Sequence, residues 1–215
     1  QGNGGDTVVC LDVTDPVNPE FLWEYSDPEL FRSRSSPAVG KIGRIQDAGV
    51  EKWAAFIVSG KTYDNSLYPS IYLIDITDGS LIERISLTAV ADDPAAPSGL
   101  GGVPSGQPAI VDSDGNGFID RLYIGTDKGL MYKVDLSDDP DVSWSSTSNT
   151  IINWDFYDDD SGVTINGQLN PVPDDQMWHP IYASPTVLVE NGVNPDGSVA
   201  HNVRIFFGTG DNPYF

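Results

Sequence analysis

The chain has 215 residues, of which 11 are basic and 32 acidic, so its formal net charge is −21 at pH 7. A surface this negative repels phosphate backbones and anionic headgroups, which excludes nucleic-acid binding and a polybasic membrane anchor. Hydrophobic residues make up 39% of the chain, which excludes disorder, and no apolar run reaches the roughly 18 residues that a membrane-inserted helix needs. Of the acids 26 are Asp and 6 are Glu, a skew that favours turns and loops over helices.

A proline followed by an aliphatic run occurs three times, at Pro37, Pro108 and Pro185. An aromatic-aliphatic run that ends in glycine follows each copy, and a run that ends in aspartate follows the first two. Such short runs, rich in β-branched and aromatic residues and bounded by Gly, Pro, Asp and Asn, are typical of β-strands. In chain order the predicted strands cover residues 7–12, 21–25, 36–39, 55–60, 71–75, 81–85, 107–111, 122–125, 130–135, 184–189 and 205–208.

Four antiparallel strands per repeat form the blade of a β-propeller, so the predicted fold class is all-β, β-propeller. We expect one domain over residues 1–215, with loop insertions near residues 87–105 and 137–177 because the repeat is long for a blade. By comparison of the repeats, the chain begins at the third strand of one blade and ends after the second strand of another. We therefore expect part of a larger propeller, whose remaining blades would pack against this chain, or an open arc that pairs with another partner.

Four aromatic residues in the predicted strands, Trp23, Trp53, Tyr72 and Tyr132, alternate with polar positions, and we expect all four to pack in the core. The single cysteine, Cys10, lies in an apolar run. It is expected to be a small buried thiol and not a nucleophile.

The sequence carries no signature of catalysis: it lacks a nucleophile elbow, a zinc-protease helix and a phosphate-binding glycine loop. His179 and His201 have no cysteine or glutamate partner at metal-binding spacing, so both are expected to be loop or packing residues. The acidic run Asp158–Asp160 is expected to be a solvated loop, with a second cation site as the alternative. We predict a protein that is not an enzyme.

Residues 112–120, DSDGNGFID, match the pattern of a calcium loop, which aims oxygen ligands inward from alternate positions and turns sharply at a glycine, here Gly117. Tyr123 replaces the bidentate Glu of an EF-hand, and the flanks are predicted strands, which indicates a strand–loop–strand site. Affinities of about 10⁻⁶ to 10⁻³ M would suit extracellular calcium. The alternative is a plain hairpin loop that binds nothing. The predicted Ca²⁺ ligands are Asp112, Asp114, Asn116, the backbone carbonyl of Phe118, and Asp120.

Three parts of the chain resemble the PilY family of type IV pilus-tip adhesins and biogenesis factors: residues 9–25, with VCLDVTDP and PEFLWEY, residues 112–136, and residues 181–185 with 205–210. The resemblance implies a β-propeller C-terminal domain and a Ca²⁺ loop that controls pilus extension against retraction. It also implies export through the periplasm to the cell surface, and pilus components such as minor pilins, or a host or surface ligand, as partners.

Two alternatives of other classes stay open. The run at residues 71–79 matches a phrase in the propeller blades of quinone (PQQ)-dependent dehydrogenases, which would make the chain a fragment of an enzyme. The calcium-loop pattern also occurs in integrin-like extracellular propellers. The calcium loop favours a binding module over the dehydrogenase.

Overall fold

The computed structural model describes residues 5–30, 33, 35–43, 51–60, 69–87, 103–127, 131–136, 163–165, 168–170 and 181–208. These residues are almost entirely β-structure, with a single 3₁₀ turn at Pro28–Leu30 among them, so the predicted all-β class is confirmed. The strands are β1 (Thr7–Asp12), β2 (Glu20–Ser26), β3 (Ala38–Ile42), β4 (Lys52–Val58), β5 (Ser70–Asp75), β6 (Leu81–Ser86), β7 (Pro104–Val111), β8 (Arg121–Thr126), β9 (Met131–Asp135), β10 (Val163–Ile165), β11 (Gln168–Asn170), β12 (Thr186–Val193) and β13 (Val199–Phe206).

The described strands pair in chain order into antiparallel sheets, as short connections between neighbours require. We call β1–β2 sheet A, the four-stranded meander β3–β4–β5–β6 sheet B, the three-stranded β7–β8–β9 sheet C, and β12–β13 sheet D. The strands β10 and β11 form a separate hairpin. Sheet B therefore has the four consecutive antiparallel strands that the sequence repeat predicted.

Sheet B is covered on both faces, which is clearest in β5, where all six residues are buried. Side chains alternate between the faces of a strand. Ile71 and Leu73 pack in a cluster with Tyr132 of sheet C. Tyr72 and Ile74 pack in a second cluster with Trp23 of sheet A. The sheets therefore stack face to face in the order A, B, C.

Hydrogen bonds join each sheet to the next. The indole Nε1 of Trp23 in sheet A donates to the carbonyl of Ile76, the residue directly after β5, at 2.8 Å. The side-chain Nε2 of Gln107 in sheet C donates to the carbonyl of Pro37, before β3, also at 2.8 Å. Beyond sheet C, the backbone N–H of Ile181 donates to Thr126 at 2.9 Å. In sheet D, Val187 and Ile205 pack against a cluster that contains Tyr123 of sheet C, so sheet D follows sheet C in the same stack.

Three of the four predicted core aromatics, Trp23, Tyr72 and Tyr132, are buried, but the prediction for Trp53 is wrong. Trp53 is 52% exposed, because it is the second residue of β4 and the covered part of that strand begins at Ala54. The expected burial of Cys10 is met only in part. Its thiol packs against the cluster between sheets A and B but is only partly buried, because it lies on β1 between buried Val8 and exposed Asp12 of the same face.

The predicted insertions fall mostly outside the described residues, and so do Asp158–Asp160 and His179. Two differences are visible. Strand β7 begins at Pro104, inside the range 87–105 predicted to be loop, and the hairpin β10–β11 lies inside the range 137–177. The other histidine, His201, lies on exposed β13, where its Nδ1 is 2.8 Å from Asn191 Oδ1, so a simple polar pair across the hairpin accounts for it.

Asp75, at the end of β5, is 5% exposed and accepts hydrogen bonds from Lys52 Nζ at 2.8 Å and from the backbone N–H of Thr77 at 2.9 Å. Burial acts to raise the pKa of this carboxyl, but the bonds from Lys52 and Thr77 outweigh it and hold the pKa below its usual value. A carboxylate of lowered pKa stabilises the fold above its unfolded pKa of about 3.9, and that stability is lost as the pH falls through its folded pKa.

Asp75→Asn is therefore expected to reduce the free energy of unfolding at pH 7 by about 1.5–3 kcal/mol, the contribution of hydrogen bonds to a charged group. Urea unfolding of both proteins should show the difference shrinking below about pH 4. Asp78→Asn, in the same turn but exposed, is the control and should change stability by less than about 0.5 kcal/mol at pH 7. If the free energies of unfolding of wild type and Asp75→Asn differ by the same amount at pH 7 and below about pH 4, the assignment is contradicted.

Candidate metal centre

The candidate calcium loop connects β7 to β8 within sheet C, so the predicted strand–loop–strand arrangement is confirmed. Val111 and Arg121 are the last residues paired across the two strands. Beyond that pair, the N–H of Asp120 donates to the carbonyl of Val111 at 2.9 Å, and Leu136 donates to the carbonyl of Asp120 at 2.7 Å. Both ends of the loop are thus fixed to the sheet.

Asp112 organises the first half of the loop by accepting hydrogen bonds from three backbone N–H groups. Its Oδ1 accepts from Gly115 at 2.7 Å and from Asn116 at 3.1 Å, and its Oδ2 accepts from Gly117 at 2.8 Å. Gly115 and Gly117 have φ values of 80° and 93°, a left-handed conformation that favours glycine. The sharp turn predicted at Gly117 is therefore present.

The next two predicted ligands continue the same pattern along the exposed part of the loop. Asp114 accepts from the N–H of Asn116 and from its side-chain Nδ2, both at 3.0 Å. Asn116 Oδ1 in turn accepts from the N–H of Phe118 at 2.8 Å. Oxygen atoms at alternate positions thus face the backbone of the loop itself.

Asp120, at the far end of the loop, is held by Ser113. Its Oδ1 accepts from the backbone N–H of Ser113 at 2.9 Å, and its Oδ2 accepts from Ser113 Oγ at 2.5 Å. Ser113 is only 3% exposed. The sequence pattern did not mark Ser113, because position 2 of a calcium loop supplies no ligand.

The carboxylates of the loop are each bonded to nearby donors, and they do not converge on one point. Within the described part of the chain, no three Asp, Glu, His or Cys side chains are arranged so that they could hold a metal ion. The structure thus places all five predicted ligand residues in one loop without assembling a coordination sphere. Binding of a cation would require their side chains to rearrange.

The chemistry of the donor set fits a hard cation. Three carboxylates, one amide oxygen and one backbone carbonyl are all oxygen ligands, which suit Ca²⁺ or Mg²⁺ and not softer metals. A carboxylate oxygen has two lone pairs, so it can keep one N–H bond while it faces a cation. Apart from the adjacent residues, no atom of the described part of the chain lies within 4 Å of a Cβ placed on Gly115 or Gly117, so there is open space beside both glycines.

No helix in the described residues is both long and apolar enough to cross a bilayer. Together, the stacked antiparallel sheets and the oxygen-rich hairpin loop define an all-β protein with a candidate cation site.

Comparison with known proteins identifies relatives of this chain. No protein-family model matches the chain. It is 30% identical over 152 residues to the type IV pilus biogenesis factor PilY1 of Pseudomonas aeruginosa (strain UCBPP-PA14), a match that covers 67% of this chain and 12% of that protein. It is 27% identical over 150 residues to a PilY1 homolog of Xylella fastidiosa (strain Temecula1), covering 66% and 10% respectively.

A solved structure agrees with the sequence matches. The crystal structure of the Pseudomonas aeruginosa PilY1 C-terminal domain superposes with a TM-score of 0.57 at 21% identity, over 96% of this chain and 39% of that one. The predicted relationship to the PilY family is therefore confirmed, and the chain is a homologue of part of these proteins. It spans about a tenth of the length of the curated relatives it matches.

Proposed function

We propose that this chain is a calcium-binding, non-catalytic module of a type IV pilus biogenesis protein. The observation that carries the pilus assignment is the relationship to proteins named as type IV pilus biogenesis factors. The oxygen donors of the loop, with the turn at Gly117, support the assignment of the ion as Ca²⁺. Asp112, Asp114, Asn116, Asp120 and the carbonyl of Phe118 are the proposed ligands.

We propose that sheets A to D are successive blades of a β-propeller. Sheets stacked in chain order, with the inner ones covered on both faces, support this assignment. The outer face of sheet A exposes Val9 (51%), Leu11 (49%) and Phe21 (61%), an apolar surface that suits a further blade. Residues 1–215 would then be one part of a larger propeller, as the 39% coverage of the similar domain also suggests.

The proposed role of the ion is to control whether the pilus extends or retracts and how it attaches to a surface. With no ion present, like charges in the loop repel one another by on the order of 1 kcal/mol each at solvent-like dielectric, within a chain of net charge −21. An ion bound only to the ordered loop stabilises that state by about 2.7 kcal/mol at one hundred times Kd. Such a difference is enough to switch a surface that pilus components recognise outside the cell.

The test is made in piliated bacteria that carry Asp120→Ala in the whole parent protein. We expect the number of surface pili to depend on external calcium in the wild type and to lose that dependence in the variant, because the variant lacks one proposed ligand. Asp196→Ala, in an exposed turn of sheet D, is the matched control and should keep the calcium response. Identical calcium responses of wild type and Asp120→Ala would overturn the proposal.

A further inference from the structure

The candidate calcium loop also contacts the neighbouring sheet. The backbone N–H of Ile119, in the loop of sheet C, donates to the carbonyl of Lys41 in β3 of sheet B at 2.7 Å. The ammonium group of Lys41 lies 4.9 Å from the centroid of the Phe118 ring, a distance at which a cation–π interaction is attractive. The same ammonium group pairs with the carboxylate of Glu51 at 2.5 Å. One end of the loop is thus attached to sheet B.

Two glycines make this close approach possible: Gly40 in β3 and Gly43, the residue directly after β3. A Cβ placed on Gly40 would lie 2.5 Å from Ile119 Cγ1, and a Cβ on Gly43 would lie 2.9 Å from Cγ of Phe118. Neither glycine adopts a positive φ, so the requirement at both positions is for space and not for backbone freedom. Any larger side chain at Gly43 must displace the ring of Phe118.

Phe118 therefore takes part both in the candidate calcium loop and in its contact with sheet B. Its backbone carbonyl is a proposed Ca²⁺ ligand, while its ring and the next N–H bond the loop to sheet B. We propose that the end of β3 and the residue after it position this ligand, with Lys41 and Gly43 as positioning residues, so that calcium binding and the packing of sheet B on sheet C are coupled. This inference rests on the proposed calcium site. Because coupling between two equilibria is reciprocal, calcium should tighten the contact and loss of the contact should weaken calcium binding.

Phe118→Ala tests the coupling in the 215-residue chain, because it removes the ring and keeps the backbone carbonyl. Isothermal titration with CaCl₂ should show an affinity about 5- to 10-fold lower than that of the wild type. Gly43→Val should have a similar effect, and the double variant should bind no more weakly than Phe118→Ala alone, because both changes act on one contact. Phe21→Ala, which removes an exposed ring of distant sheet A, is the control and should leave the affinity unchanged.

Hydrogen exchange of the Ile119 amide provides a readout that needs no variant. In the wild type, CaCl₂ should slow this exchange relative to EDTA, and the slowing should be smaller in Phe118→Ala. A wild-type chain that binds no calcium overturns the calcium site and the coupling with it. A wild-type chain that binds calcium with no change in Ile119 exchange, or with equal affinity in Phe118→Ala, overturns the coupling alone.

Discussion

Asp120→Ala is expected to lower the affinity of the chain for Ca²⁺ by more than about 100-fold. Loss of a residue that only supports a metal ligand already costs about 10- to 100-fold, and Asp120 is a proposed ligand itself. The substitution also removes the acceptor for the N–H and Oγ of Ser113, which is 3% exposed. We expect the fold to remain intact but less stable by about 1–3 kcal/mol, the cost of leaving buried donors unpaired.

Asp196→Ala is the control that separates a metal ligand from an ordinary turn aspartate. Asp196 Oδ1 accepts from the N–H of Ser198 at 2.9 Å and from its Oγ at 2.6 Å, next to Gly197 at a φ of 85°. Its turn therefore resembles the Ser113–Asp120 pair in local bonding, but it is not part of the calcium pattern. Isothermal titration should give wild-type affinity for Asp196→Ala. Equal affinities of wild type and Asp120→Ala would mean that the 112–120 loop is only a turn.

Phe56→Ala is expected to reduce the free energy of unfolding by about 3–5 kcal/mol, the usual cost of truncating a fully buried phenylalanine. Phe56 lies in β4, is 0% exposed, and belongs to the cluster that sheets B and C bury between them. Its removal leaves a cavity bordered by both sheets. The effect should therefore be large even though no polar bond is lost.

Trp53 provides the matched control on the same strand. It is a larger aromatic residue but 52% exposed, so Trp53→Ala should cost less than about 1 kcal/mol. Urea denaturation of the two variants measures the difference directly. If both variants lose the same stability, sheet C does not cover this face of sheet B in solution.

Much of the fold could be predicted because strand and turn signals are local. The predicted range 7–12 coincides with β1 (Thr7–Asp12), and the predicted range 71–75 differs from β5 (Ser70–Asp75) by one residue. Sheet D was predicted less well, since the ranges 184–189 and 205–208 miss much of β12 and β13. Both strands continue through polar residues, such as Asn191 paired with His201, beyond the apolar runs on which the prediction rests.

The candidate site could likewise be predicted only in part. The spacing from Asp112 to Asp120 predicted a loop between two strands and the turn at Gly117, because a calcium loop imposes those positions locally. The contact of Ile119 with Lys41 joins residues far apart in sequence, so no local pattern contains it. Trp53 was misjudged for a related reason, because alternation along β4 identifies a face but not how far the neighbouring sheet extends over it.

A calcium titration of the ¹⁵N-labelled chain, followed through the amide resonances of Gly115 and Gly117, tests the calcium site most directly. Both amides donate to Asp112, so an ion bound by that carboxylate must change their environment. We predict that both resonances shift and saturate at one equivalent of bound Ca²⁺, with a Kd between about 10⁻⁶ and 10⁻³ M. Resonances that stay in place up to about 10 mM Ca²⁺, well above that range, would contradict the assignment of this loop as a calcium site.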